Sequence, residues 1–409
     1  MRVWILTAFV ACAAIASGGT AAATLSAAPL SFRDLVALAR TDAFEVRFAQ
    51  ARVVESRGRL VQAGGLSQSN PTLEVTAGKR HGDVDADESE IAITMPFGFG
   101  ANRGPRVATA KADLRREESS LDDARRVAIG RAANAFYRAQ HASRLVEIAA
   151  ERCALADSLV RIARERERAG DVAMFDVTVA EAEESRAASD LAAQQGNVIR
   201  ARGEVAYAIG FASTAELEIG GDLADRSYLD SLLASGANAA RSDVDAARAY
   251  VEQREAEVTL SGRARIPDIS LLASSAREDG EKITRGGAEI TLPIFQRGAG
   301  SRGEARGRLQ LAQSESDAVR SAAAIETETA IAVHEAAMTA LREFEERALP
   351  SAATYSAMVT QSYRAGRIDL PSLLLIRREA LETRIEHAGR LLEAANAAID
   401  LALAKGILR

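Results

Sequence analysis

The chain is written twice, and each copy is a whole domain. Pro71 and Pro267, Gly170 and Gly366, and Gly210 and Gly406 are matched pairs, each 196 residues apart. Local text matches around them: Ala51-Arg52 with Ala247-Arg248, and Met95-Pro96-Phe97 with Leu292-Pro293-Ile294, one residue out of register. A period this long is not a solenoid unit. Any fold must therefore use the same order of elements twice.

That order is helix, strand, strand, very long helix, tight turn, long helix. The first repeat spans 24–210, with a helix over 31–67, strands over 71–79 and 89–97, a long helix over 105–169 and a return helix over 173–209. The second spans 241–409, with a helix over 241–264, strands over 267–276 and 287–295, a long helix over 302–364 and a return helix over 369–406. Residues 211–240, with Gly220-Gly221 and Ser235-Gly236, read as a connection with little structure of its own.

The strands rest on alternation. Leu73, Val75 and Ala77 alternate with Thr72, Glu74 and Thr76, and Ile91, Ile93, Met95 and Phe97 with Glu90, Ala92 and Thr94. The second copy repeats this with Ile269, Leu271 and Ala273, then Ala288, Ile290, Leu292 and Ile294. Period two marks strands with one apolar face. Charged loops, 81–87 and 278–282, separate the strands of each hairpin.

The long helices rest on the number seven. Val107, Leu114, Leu121, Ala128, Ala135, Ala142, Ala149, Ala156 and Ala163 are apolar and evenly spaced. A seven-residue repeat specifies helices that wrap on one another. Between Pro105 and Ala169 only Gly130 weakens the run, which would reach ~100 Å at ~1.5 Å per residue. The second copy keeps the phase at Ala324, Ile331, Met338, Ala352 and Val359, interrupted by Glu345. Each long helix ends on a glycine, Gly170 or Gly366, the residue suited to a left-handed cap.

Composition narrows the function. Aromatic residues are only 4%, and alanine dominates the apolar set, which suits close-packed helical arrays. A net charge of −6 argues against nucleic acid as a partner. Residues 1–23 read as an export signal, with Arg2, an apolar run over 3–16 and small residues leading to Ala23. Cys12 lies in that run, where lipid attachment is a minor alternative. Cys153 reads as a small buried apolar residue. The histidines, His81, His141, His334 and His387, lack metal-ligand spacing, and no catalytic or phosphate-cradling constellation is present. The sequence thus points away from an enzyme, a cofactor and a metal site.

Four strands cannot close a barrel. An open sheet with an apolar face cannot sit in lipid, because its edges expose unpaired backbone groups. If these are membrane strands, several chains share one barrel, and Leu73, Val75, Ile91, Ile93, Ile269, Leu271, Ile290 and Leu292 face lipid. Glu74, Glu90, Thr94, Glu289 and Thr291 then face the lumen.

The duplicated halves, the proline within each strand text, the opening Leu30-Ser-Phe-Arg-Asp-Leu-Val-Ala-Leu-Ala39 and the tip Tyr363-Arg-Ala-Gly366-Arg-Ile-Asp-Leu370 resemble the outer-membrane efflux proteins of the TolC type. The short length and compact connection look closest to the heavy-metal efflux branch. The resemblance implies a homotrimer, with a twelve-stranded β-barrel in the outer membrane continuing into a periplasmic α-helical barrel. It implies a passive exit duct, docked to a periplasmic adaptor and an inner-membrane pump. It places adaptor docking at the tips, Gly170, Asp171, Val172, Gly366, Arg367 and Ile368. The positions where the family carries aperture acids are Ser372 and Leu375 here. Asp176 and Asp369 are the nearby acids, for which helix capping is the simpler role. Two alternatives stay open: a duct for type I protein secretion, and a periplasmic structural protein of helical hairpins.

Overall fold

A computed structural model describes residues 29–408, except 66–68, 82–85, 98–102, 214–216, 235–239, 264–265, 267, 279–280, 293 and 296. The expected export signal and Cys12 lie outside the described residues. In order the elements are α1 (Phe32–Asp42), α2 (Phe44–Ala63), β1 (Thr72–Arg80), β2 (Ala86–Phe97), α3 (Arg103–Arg168), α4 (Met174–Ala208), α5 (Ser227–Ala234), α6 (Ser242–Gly262), β3 (Asp268–Glu278), β4 (Glu281–Thr291), α7 (Ala299–Glu343), a π turn (Phe344–Ala348), α8 (Leu349–Arg364) and α9 (Leu370–Ala404).

The four strands form one antiparallel sheet in the order β1-β2-β3-β4. The two repeats therefore meet through backbone hydrogen bonds, with Phe97 paired to Ile269 and Ser89 to Arg277. Beneath the sheet the helices form a wall. Near the strands α2 packs on α3, α3 on α6, and α6 on α7; farther away α4 packs on α3, α3 on α9, and α9 on α8. The expected heptad line of α3 is buried throughout its second half, from Ala128 to Ala163. Side chains this small let helix axes approach closely. Gly130, the weak point of the run, is a notch: a Cβ there would stand 2.5 Å from Leu403 Cδ1 of α9.

Four glycines end four helices in the same way. At Gly170, Gly210, Gly366 and Gly406 φ is positive. In each, the glycine N–H bonds the carbonyl three residues back and the next N–H bonds the carbonyl five back, as in Asp171 N to Arg166 O at 2.9 Å and Arg367 N to Ser362 O at 2.9 Å. This paired closure satisfies carbonyls that a helix end leaves orphaned.

The structure departs from the sequence expectation in five places. The helix expected over 31–67 breaks at Ala43, which is extended at φ −55°, ψ 141°. The break lets the Asp42 carbonyl lie against the Gly210 turn. The connection 211–240 is a structured belt: Leu30 pairs with Ile219, α5 forms, and Leu217, Leu223 and Leu229 are buried. There Phe32 meets Phe136, Tyr137 and Tyr228 with ring centroids 5.5–5.7 Å apart. The strand expected over 287–295 is instead Glu281–Thr291, because the β3–β4 ladder closes as far as Glu278 opposite Glu281. The helix expected over 302–364 contains the π turn. Finally, Ala324 and Ile331 are exposed, and Ala305, Ala312, Ser316 and Ala323 form the buried line of α7. α7 is an edge helix within one chain, so Leu311, Ile325 and Val333 are left exposed.

Two polar junctions fix the wall below the sheet. Buried Asp113 of α3 accepts from Ser56 Oγ at 3.0 Å and Gln253 Nε2 at 3.2 Å and pairs with Arg59 at 2.8 Å, joining α2, α3 and α6. Lower down, Arg241 donates to Asp243 at 2.6 Å and Glu326 at 2.7 Å, linking α6 to α7. Burial works against the Asp243 carboxylate, but Arg241 and Arg126 outweigh it and hold its pKa below the usual range. A depressed carboxylate stabilises the fold above its unfolded pKa, and that stability is lost as pH falls through the folded value. Asp243→Asn is expected to lower thermal stability at neutral pH and to leave it nearly unchanged at acid pH. An equal loss at both pH values would contradict this.

Candidate functional site

Two regions hold the predicted site residues: the sheet and the helical tips. In the sheet the register decides which side chains share a face. Leu73 stands opposite Ile93, Val75 opposite Ile91, Met95 opposite Leu271, and Ile269 opposite Ile290. With Ile93 opposite Ala273 and Leu271 opposite Ala288, they form one continuous apolar face. It is solvent-exposed in the single chain, Leu73 at 68% and Ile91 at 54%. Thr94, Glu74, Glu90 and Glu289 alternate onto the other face, as period two requires. Leu292 departs from expectation: it lies one residue beyond β4, exposed and outside the ladder. It precedes a proline, which has no N–H to extend the pairing.

The apolar face has a defined end. Toward the hairpin tips it carries Lys79 paired with Asp87 at 3.8 Å, and Arg277 opposite Lys282. Between these charges and the helices, β2 presents Ile91 to Phe97, roughly 20 Å at ~3.3 Å per residue. That approaches the ~25 Å apolar band of a membrane barrel. Among the described residues no helix is long and apolar enough to cross a membrane.

At the far end of the wall the two tips meet. One cleft of about 370 Å³ is lined by Arg166, Asp171, Val172 and Asp176 of the first repeat and by Gly366, Arg367, Ile368 and Asp369 of the second. Beneath it lies a small core: Leu159, Val160, Ala163, Val177, Ala180, Tyr363 and Leu373. The Arg166 guanidinium sits over the Tyr363 ring at 5.6 Å and ties one tip to the other. Sequence reasoning named Tyr363 only within the tip text and did not pair it with Arg166.

The aperture candidates separate by role. Asp369 is the N-cap of α9 and accepts from Ser372 N at 3.1 Å. Hydrogen bonds from the Ser372 side chain and backbone hold its pKa below the usual carboxylate value. Asp369 and Ser372 thus serve the helix start, as the capping role anticipates. Asp176 lies in the first turn of α4, near the positive end of that helix. Leu375, one turn further along α9, is 67% exposed. Met174 and Phe175 beside the first tip are also exposed. Among the described residues no group of three or more His, Cys, Asp or Glu is placed to hold a metal.

The class of fold is a four-stranded antiparallel sheet with one apolar face, set on a wall of very long helices. Residues 233–406 match the model of the outer membrane efflux protein family. Over 369 residues the chain is 24% identical to the cobalt-zinc-cadmium resistance protein CzcC of Cupriavidus metallidurans, covering 89% of this chain and 87% of that protein. Its structure resembles the CmeC outer membrane channel of Campylobacter jejuni with a TM-score of 0.75 at 14% identity, covering 92% of this chain and 85% of that one. The outer membrane protein VceC of Vibrio cholerae gives a TM-score of 0.74 at 19% identity, covering 92% and 96% of the two chains. Its second repeat thus matches the outer membrane efflux protein family, and its fold is that of the solved outer membrane channels.

Proposed function

We propose that three copies of this chain close a twelve-stranded barrel and a continuous helical tube, which together form the passive exit duct of a tripartite efflux system. The observation that carries this reading is the pair of open edges. β1, α2 and α4 form one side of the chain and β4, α7 and α8 the other. β1 and β4 each leave one row of backbone groups without a partner in the sheet. In lipid such rows must be paired, and β4 of one copy can pair antiparallel with β1 of the next. Exposed Phe48, Val54 and Val61 on α2, and Leu311, Ile325 and Val333 on α7, flank those edges. A head-to-tail contact of this kind closes into a ring. Native mass spectrometry of the protein in detergent is expected to show three copies. A stable monomer in buffer without detergent would overturn the reading.

In this duct the tips receive a periplasmic adaptor, which links the chain to an inner-membrane pump. The exposure of Met174 and Phe175 and the joint cleft at Gly170 and Gly366 support docking there. The relative's name makes divalent cobalt, zinc and cadmium the first cargo to test. Bulky substitutions at Gly170, Val172, Gly366 or Ile368 are expected to abolish efflux while trimers remain in the membrane. A Cβ at either glycine meets no atom within 4 Å, so the added bulk clashes with nothing in the chain and the cost within the fold is confined to the left-handed backbone. Ser372→Ala is expected to change single-channel conductance little, because the hydroxyl serves the Asp369 cap. A large opening from Ser372→Ala alone would reveal a polar lock.

A further inference from the structure

The second long helix is interrupted where the first is not. α3 runs unbroken, whereas α7 gives way to the π turn Phe344–Ala348 before α8 resumes. Pro350 supplies a local cause. It has no N–H for the carbonyl of Glu346, and its ring crowds that carbonyl. A wider turn relieves both. Single π turns within α-helices are where such helices bend, and they concentrate at functional positions.

One side chain of α9 grips this turn. His387 Nε2 lies 3.0 Å from Glu345 Oε1. The same imidazole lies parallel to the Phe344 ring, with centroids 6.2 Å apart and planes 5° apart. Both contacts fall on consecutive residues of the turn. The neighbouring charges have other partners. Glu343 pairs with Arg347 at 3.2 Å across the turn, and Glu386 with Arg390 at 3.2 Å along α9. From α3, Glu151 accepts from Arg384 Nη2 at 3.0 Å. Arg342 and Glu346 are exposed. On α8 the ionisable residues are Tyr355, Tyr363 and Arg364, farther along the helix.

We propose that the π turn is a hinge of the second-repeat helix, and that protonation of His387 clamps it through Glu345. Imidazoles titrate between about pH 5 and 8, and carboxylates are ionised across that range. The contact is an ion pair only while His387 is protonated and a neutral hydrogen bond otherwise. The tip glycine Gly366 lies beyond the hinge, so bending at the π turn moves the second tip. This consequence rests on the duct reading: the clamped state holds the tips together and favours a closed duct.

Hydrogen exchange of the full-length protein in detergent tests the clamp without needing a conducting duct. Wild type and His387→Gln are compared at equal pH, which cancels the intrinsic rate. At about pH 5.5 the amides over 344–352 are expected to exchange about threefold more slowly in wild type, and at about pH 8 the two should agree closely. Glu345→Gln should match His387→Gln. His387→Lys, which keeps a cation at both pH values, should stay protected throughout. A wild-type advantage of the same size at both pH values, or no advantage at either, would overturn the hinge. Should His387→Gln fail to assemble, the pH response of Glu345→Gln decides. Single-channel recording reads the duct separately: exchange that follows pH while conductance does not keeps the clamp and removes its link to closure.

Discussion

Gly210→Ala is expected to prevent assembly, whereas Gly170→Ala is expected to fold. Both glycines close their helices with the same pair of hydrogen bonds, at φ 76° and 80°. The left-handed backbone costs a non-glycine residue about 1–3 kcal/mol at either site. Their surroundings differ. At Gly170 an added Cβ meets no atom within 4 Å. At Gly210 it would lie 2.0 Å from the Asp42 carbonyl oxygen and 2.9 Å from its carbon. These are backbone atoms, so no rotamer can yield. Relief requires moving the Ala43 break away from the Gly210 turn, and that break sets α1 and α2 on the central core. The total is expected to exceed ~4 kcal/mol, the range in which single substitutions unfold proteins. Circular dichroism melts of the two variants check this, and equal melting temperatures would refute it.

Ile93→Arg is expected to block membrane assembly, and Thr94→Arg to permit it. The two are adjacent, so their side chains leave opposite faces of β2. Ile93 lies within the apolar face, between Leu73 and Ala273. Thr94 lies between Thr72 and Leu272 on the other face. An arginine on the lipid face of a barrel costs about 2–4 kcal/mol at mid-depth, and lumen positions are far more tolerant. Heat-resistant oligomers in outer-membrane fractions report the outcome. Equal yields of the two variants would mean that this face does not meet lipid.

Much of this was legible in the sequence, for a physical reason. Period two and period seven are geometric properties of strands and helices, so Ile91/Ile93/Met95 and the alanines from Ala128 to Ala163 declare their faces without tertiary context. The tip glycines declare themselves because few other residues accept positive φ. What stayed hidden depends on long-range contact. Nothing local at Ala43 predicts a break, which follows from docking against Gly210. The belt formed by Leu217, Leu223 and Leu229 reads as a loop because its leucines, six residues apart, mark out neither an alternating strand nor a helical stripe. They are spaced to reach an external core. The π turn left a partial trace, since Glu345 interrupts the heptad line and Pro350 follows it. The Arg166–Tyr363 contact joins two repeats and carries no pattern in either.

The sheet order also governs how this protein is made. β2 pairs with β3, yet α3, α4, α5 and α6 lie between them in the chain. Closing so long a loop has a large entropic cost before any pairing repays it. The first hairpin therefore waits, with both outer edges unpaired, until the second repeat has emerged and its helices have begun to pack. A truncated or half-exported chain holds only two strands and two lone apolar stripes, too little to enter lipid as a stable unit. On the duct reading, completion of the helical wall therefore precedes insertion, and an unfinished chain has no sheet able to enter lipid.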